Sequence, residues 1–169
     1  MSLALYRAFV EVTGREDAFS LKWPNDVLLN GGKVAGILLE NSGSNRAGQV
    51  LAIGVGVNLA VSPALKLLEP DAVPPVSIAE ELGVSVSPEG FLAVLARCYS
   101  DSEATFKAYG FAPIRTGWLA HAARLGDVIT ARIGNTSHKG VFEDVDDAGQ
   151  LVLRGAHGVR KIAAAEVYF

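Results

Sequence analysis

Four polar side chains interrupt a stretch that otherwise reads as apolar sheet. They are Lys22, Asn25, Asp26 and Lys33, within Leu21 to Glu40, LKWPNDVLLNGGKVAGILLE. Two are cations, two can accept hydrogen bonds, and their spacing lets a tight turn gather them. Glycines add a second signal: Gly36 follows Lys33, and Gly54 and Gly56 fall in the next apolar run, LAIGVGVNL, from Leu51 to Leu59. Glycine inside a strand weakens it and packs nothing, so it often marks a close approach of another group to the backbone. Lysines at the ends of glycine-bearing strands describe the floor of a small-molecule site.

Three strands must position these groups. Val27, Leu28 and Leu29 form a short strand, and Asn30-Gly31-Gly32 is a hairpin turn signal because Asn and Gly tolerate positive φ. Lys33 to Asn41 returns as a second strand, and Val50 to Leu59 is the third. Lys33 therefore leaves a hairpin end, where backbone geometry can aim it.

KWPNDV from Lys22, KVAGILLE from Lys33 and IGVGVNL from Ile53 keep an order and short spacing that resemble the catalytic domain of the biotin protein ligases. The resemblance runs to the chain's end. It implies an α/β (α+β) fold: a biotin/lipoate ligase-like catalytic domain, partial here, with a mainly antiparallel sheet and packed helices, then a small SH3-like β-barrel. It implies two steps. Biotin and Mg·ATP give biotinyl-adenylate and pyrophosphate, and a lysine of a biotin carboxyl carrier protein then takes the biotinyl group. Mg²⁺ is expected because ATP's phosphates usually bring it, with few protein ligands needed and no metal site formed by the chain itself. These ligases also carry an upstream segment rich in glycine and arginine that closes over biotin and its adenylate. Nothing like it precedes Leu21, and no DNA-binding helix-turn-helix does either. The expectation is a truncated product, or a start placed too far downstream, that binds biotin poorly by itself.

Two other readings stay open. Lipoate ligases share the fold and a similar lysine, although KWPNDV and GxGxN point to biotin. A catalytically silent adenylate-binding or dimerisation module is the second. The third strand could pair with its own copy by edge addition, a mode the resembled family uses, making a homodimer.

Roles follow from the chemistry the resemblance implies. Joining a carboxylic acid to ATP brings two anions together, and charge builds on the α-phosphate as pyrophosphate leaves. A fixed cation there stabilises the transition state, and losing such a group typically costs ~2.7–4 kcal/mol. Lys33 is that cation; in the family it contacts the biotin carboxylate and the phosphate. Asp26 is the general base, because the acceptor lysine, with an ordinary pKa of about 10.4, must lose a proton before it attacks. An Asx-type turn role is its plainer alternative. Asn25 holds nucleotide or phosphate oxygens, or orders a metal's waters. Lys22 pairs with phosphate or closes the loop by an ion pair. Gly36, Ile37 and Gly54 form the biotin floor, and Asn58 lies near the adenine or else satisfies loop backbone. Trp23 is a structural anchor beneath the loop, its indole N–H seeking a partner.

Composition sets the outer bounds. At 169 residues, half hydrophobic and a fifth charged, the chain has the profile of a globular protein of one domain plus a small appendix. A net charge of −3 gives no general attraction to nucleic acid or anionic membrane. No apolar run is long enough to span a bilayer and no secretory signal is visible, so a cytoplasmic location is expected. Cys98 is the single cysteine, a buried structural thiol. His121, His138 and His157 fit no triad or metal spacing.

The remaining chain reads in segments. Ser2 to Thr13 is a helix with Ser2 as its cap and Gly14 as its stop. Residues 60–76 form a loop with four prolines, which in the resembled family orders around the adenylate. Ser77-Ile78-Ala79-Glu80 is a capping box, and Ser87-Pro88 opens a longer helix. Its core stripe is Phe91, Leu92, Leu95, Cys98, Tyr99 and Phe106. A further helix is expected around Pro113 to Leu125. From Gly126 the period changes to short strands, at Asp127–Ile133, Gly140–Val145, Gln150–Arg154 and Val159–Phe169, separated by Asp147-Ala148-Gly149 and His157-Gly158 turns. Residues 1–125 are thus assigned to the partial catalytic domain and 126–169 to the barrel.

Overall fold

A computed structural model describes residues 1–45, 48–64 and 72–169. Helix α1, Ser2–Thr13, buries Leu3, Ala4, Leu5, Tyr6, Ala8 and Phe9, and ends at Gly14, whose positive φ lets its N–H reach Val10. Ser2 does not cap it. The cap position is Met1, and Ser2 already lies in the first turn. Phe9 stacks on Phe19 with ring centroids 5.1 Å apart and tilts against Phe91 at 5.0 Å. One ring thereby joins α1 to the sheet and to α3, Pro88–Tyr109.

Among the described residues the first sheet has the order β1-β2-β3-β4, all antiparallel: β1 Phe19–Lys22, β2 Asp26–Leu29, β3 Gly32–Asn45 and β4 Gly48–Val57. β1 lies outside the three-strand reading of the sequence. Four residues before a proline carry little periodic signal, yet Phe19 and Leu21 are buried and Lys22 stands opposite Asp26. The register slips between Val27 and Leu28, which pair with Ala35 and Lys33, leaving Val34 as the extra residue of a bulge.

Helix α2, Ile78–Leu82, is capped by Ser77, whose hydroxyl accepts from the Glu80 N–H and donates to the Glu80 carboxylate at 2.8 Å. Ser87 caps α3 in the same way through Gly90, with Pro88 following it. The buried seam of α3 is Phe91, Leu95, Cys98 and Ser102, spaced four, three and four. The expected stripe is therefore too wide. Leu92, one position off the seam, is 63% exposed and turns to a groove against Ile53 and Val55 of β4. Phe106, beyond the seam's last member, is 53% exposed.

Helix α4 spans Phe111–Leu119, not Pro113 to Leu125. The chain leaves the helix after Leu119 and lays Ala122 beside Leu21 as a parallel bridge. Leu21 N–H donates to His121 C=O and Ala123 N–H to Leu21 C=O, both at 2.8 Å. A strand edge with unpaired backbone groups competes well for this segment, because continuing the helix would leave them unmatched.

The second sheet has the order β8-β7-β6-β5-β9, again antiparallel, with β5 Val128–Ile133, β6 Thr136–Val145, β7 Leu151–Gly155, β8 Gly158–Ile162 and β9 Glu166–Tyr168. The single strand read from Val159 to Phe169 is two, because the chain turns at residues 163–165 so that β9 can pair with β5. Ile129, Ala131, Phe142, Val145, Leu151, Leu153, Ile162 and Val167 form its core. Trp23 joins this core from the other sheet, and its indole N–H donates to Gly149 C=O at 3.1 Å. Trp118 packs against both cores.

Candidate active site

β1 and β2 are connected by Trp23, Pro24 and Asn25 alone, and the Trp23–Pro24 peptide is cis. So short a turn puts Lys22 and Asp26 on one rung, with Lys22 Nζ 3.6 Å from Asp26 Oδ2. Asp26 in turn pairs with Gly36 on β3, and Gly36 with Gly56 on β4. Directly paired residues share a face of a sheet, so Asp26, Gly36 and Gly56 form one row and Leu38 and Gly54 the next.

Lys33 lies three residues before Gly36, an odd spacing that sends side chains of a regular strand to opposite faces. The bulge at Val34 removes that conflict. Lys33 Nζ comes to 2.7 Å from Asp26 Oδ1. Asp26 is buried, and its Oδ1 is fully enclosed with no aligned hydrogen bond from the described residues; the Lys33 ammonium is its counter-ion. A buried carboxylate without a partner costs several kcal/mol, which explains why two lysines converge on this one. Lys22 is itself largely buried, its side chain 11% exposed, against 43% for Lys33. That burial, with Lys33 nearby as the lesser cause, holds the Lys22 ammonium below its ordinary pKa, while Asp26 pulls the other way. Two cations over one carboxylate leave a surplus of positive charge, suited to an anion arriving from the Lys33 side.

Gly36 has a specific reason to be glycine. A Cβ there would stand 3.1 Å from Lys33 Cε and Nζ and 3.3 Å from Asp26 Oδ1. The gap it leaves is filled by the lysine head. Gly54 and Gly56 are exposed; a side chain on Gly54 would make only ordinary contact with Leu38, and one on Gly56 would meet nothing within 4 Å. They leave a flat, open floor beyond Gly36.

Asn25 and Ile37 bind each other. Asn25 Nδ2 donates to Ile37 C=O at 2.7 Å, and Ile37 N–H donates to Asn25 C=O at 3.1 Å. The Ile37 side chain belongs to the core shared by α1 and α3, so what Ile37 offers the site face is backbone. Asn58 serves the adjacent loop. Its Nδ2 donates to Val76 C=O at 2.9 Å and to Lys33 C=O at 3.4 Å. It thereby fastens the Pro74–Val76 segment, whose own backbone brackets Lys33: Lys33 N–H donates to Pro74 C=O at 2.8 Å and Val76 N–H to Lys33 C=O at 3.0 Å. This is the loop-satisfying role read as its alternative. Residues 65–71, the centre of the loop expected to order around an adenylate, lie outside the described residues.

The structure thus brings together Lys22, Asn25, Asp26, Lys33 and Gly36, sets Gly54 one rung farther on the same face, and puts Asn58 at the backbone of Lys33. Sequence reasoning did not reach Phe169 and Arg124. The Phe169 ring lies 5.9 Å from Lys22 Nζ and 5.2 Å from Arg124 Cζ. Neither residue sits in a motif, and only folding makes them neighbours of Lys22. His121 stacks on Tyr6 at 4.0 Å, away from this cluster's contacts. Cys98 is buried, and that burial pushes its thiol pKa up.

Comparison with known proteins gives the family. A model described as the biotin/lipoate A/B protein ligase family matches residues 1–58, and one described as the biotin protein ligase C terminal domain matches residues 125–169. The chain is 54% identical to a biotin–[acetyl-CoA-carboxylase] ligase of Paracoccus denitrificans, over 99% of this chain and 70% of that protein. It is 30% identical to the bifunctional ligase/repressor BirA of Bacillus subtilis, over 98% of this chain and 52% of that protein, so it spans about half of this relative. The fold matches the biotin protein ligase of Aquifex aeolicus solved in complex with biotin and ATP, with a TM-score of 0.79 and 23% identity, covering 98% of this chain and 67% of that one. The matched strands carry the Lys33–Asp26 pair and the glycine floor, and the chain belongs to the biotin protein ligase family.

Proposed function

We propose that the chain carries out biotin–protein ligation: ATP-dependent formation of biotinyl-AMP, then transfer of the biotinyl group to a lysine of a biotin carboxyl carrier protein. One observation carries this reading. Two ammonium groups, Lys22 and Lys33, converge on the buried Asp26 beside a floor made by Gly36, Gly54 and Gly56. The surplus positive charge suits the meeting of a carboxylate with a triphosphate. Lys33, 43% exposed, reaches the reacting anions and offsets the charge that builds on the α-phosphate. Lys22 holds the polyphosphate side. Asp26 takes the proton of the acceptor lysine, freeing the lone pair that attacks the acyl carbon; AMP leaves. Asn25 fixes the turn against β3, and Asn58 fixes the loop behind Lys33.

Mg²⁺ would come with ATP. Phosphate and water oxygens would be its natural ligands, with no group of three or more His, Cys, Asp or Glu side chains among the described residues to hold it. The proposed division of the chain lies near Leu125, supported by two buried clusters that meet at Trp118, with Trp23 reaching into the second; an SH3-like barrel describes the second unit. β4 is the last described strand of its sheet and exposes Val50 and Leu51, which supports pairing with a second copy there. No helix of the described residues is long and apolar enough to cross a membrane, and a cytoplasmic location is proposed.

The test is biotin-dependent exchange of labelled pyrophosphate into ATP, followed by labelling of a carrier domain at its acceptor lysine. Because weak biotin binding is expected, both are measured at saturating biotin; absence of both there, with a chain that is folded, would refute the proposal.

A further inference from the structure

The Phe169 ring is shared by two cations from different parts of the molecule. Lys22 ends β1, 5.9 Å from the ring centroid, and Arg124 belongs to the segment joining α4 to β5, with its guanidinium carbon at 5.2 Å. Three features make this more than a chance contact. The ring follows directly on the second sheet: β9 pairs with β5 at Thr130–Tyr168, Ala131–Val167 and Arg132–Glu166, Val167 is in the barrel core, and Phe169, 44% exposed, is the next residue after the strand. Arg124 is placed by the bridge between Ala122 and Leu21, which seats its segment next to β1. Lys22 is largely out of water; its ion pair to Asp26 is a loose 3.6 Å, and Glu166 adds only a minor attraction. A desolvated ammonium with an incomplete partner set gains more from an aromatic face than a solvated one does.

We propose that Phe169 is a positioning residue for the ligation reaction: its π face holds the Lys22 ammonium at the Asp26 end of the site and brings Arg124 to the same side, giving the triphosphate a second cationic arm opposite Lys33. The proposal rests on the ligase reading for its consequence and on this geometry for its existence. Without the ring, the long Lys22 side chain keeps its charge but loses its fixed direction, and Arg124 keeps only the 3.5 Å pair it already makes with Asp127. Binding of ATP then suffers more than turnover of bound substrates.

Two variants of the full chain separate this from a plain packing role. Phe169→Leu keeps apolar bulk and removes the π face, whereas Phe169→Tyr keeps it. In pyrophosphate exchange, the KM for ATP is expected to rise about threefold to thirtyfold in Phe169→Leu with a smaller change in kcat, and to stay within about twofold of the parent in Phe169→Tyr. A second readout needs no activity. Reductive ¹³C-methylation of lysines gives each amine an NMR signal, and the one missing in Lys22→Arg belongs to Lys22. The ring shifts that signal upfield in the parent and in Phe169→Tyr, and the shift disappears in Phe169→Leu. A Lys22 signal unchanged in Phe169→Leu, an unchanged KM, or equal impairment of both variants would overturn the proposal. A parent chain without exchange activity but with the ring shift would instead sink the ligase reading and leave the clamp standing.

Discussion

Lys33 Nζ occupies the space a side chain on Gly36 would need, 3.1 Å from the position of its missing Cβ. The two residues are three apart on β3, and the bulge at Val34 is what makes them meet. Gly36 in this structure is therefore first a rest for the lysine head, and only then a surface for a ligand.

Gly36→Ala should accordingly impair chemistry more than folding. The nearest group is the mobile end of Lys33, which can give by a few tenths of an ångström, and Asp26 Oδ1 stands slightly farther at 3.3 Å, so the unfolding midpoint should move little. Lys33 would lean away from Asp26 by a few tenths of an ångström, and because about 1 Å of misplacement can cost on the order of 100-fold in rate, a loss of roughly several-fold is expected. Pyrophosphate exchange and a thermal melt on the same preparation test both halves. A large loss of stability with a proportionate loss of activity would contradict this account.

Lys33 and Asp26 should separate the two half-reactions. Lys33→Met is expected to slow adenylate formation by about 100- to 1,000-fold, the typical effect of removing one fixed charge-stabilising group. Asp26→Asn, supplied with synthetic biotinyl-adenylate, should slow transfer to the carrier by about 100- to 10,000-fold, the usual range for a general base. Single-turnover labelling of the carrier resolves the steps. Equal effects of the asparagine variant on both steps would assign Asp26 to holding the lysines in place.

Lys22 gives the site an alkaline limit. Burial holds its ammonium below the ordinary lysine value of 10.5, so it loses its charge, and its grip on phosphate, at lower pH than a free lysine. The KM for ATP should rise on the alkaline side before pH 10.5, and Lys22→Arg, which stays charged, should move that limb upward. The same shift fixes the sign for stability. Between the folded and unfolded pKa values the unfolded chain binds more protons at this residue, so stability rises with pH across that window. Below it the full cost of the buried ammonium remains. KM measured against pH and denaturant melts against pH check the two statements independently.

Trp23 ties the lysine-bearing turn to the second sheet, and its removal should be felt in both. Trp23→Phe keeps most of the ring's bulk and loses the hydrogen bond to Gly149, a change of about 0.5–1.5 kcal/mol. Trp23→Ala empties a large site in the barrel core and should cost about 3–5 kcal/mol. Denaturant unfolding gives both values. The phenylalanine variant should also raise the KM for ATP, because Lys22 is its neighbour on the turn.

The amino-acid sequence by itself determined the local pieces of this protein. The Asn30-Gly31-Gly32 hairpin, the capping residues Ser77 and Ser87, the period change after Gly126, and the residues Lys22, Asn25, Asp26 and Lys33 are all short-range signals, written within a few positions of one another. It was less informative at Phe19–Lys22, after Leu119, and at Leu92 and Phe106, where the outcome depends on which surface is available to pack against. Only the tertiary structure decided that Val34 bulges so that Lys33 reaches Asp26, that Trp23 lodges in the barrel's core, that Ile37 offers the site backbone alone, and that Phe169 closes on Lys22. Those relationships join residues from separate elements, and their free energy comes from burial and charge pairing that exist only once the two sheets have come together.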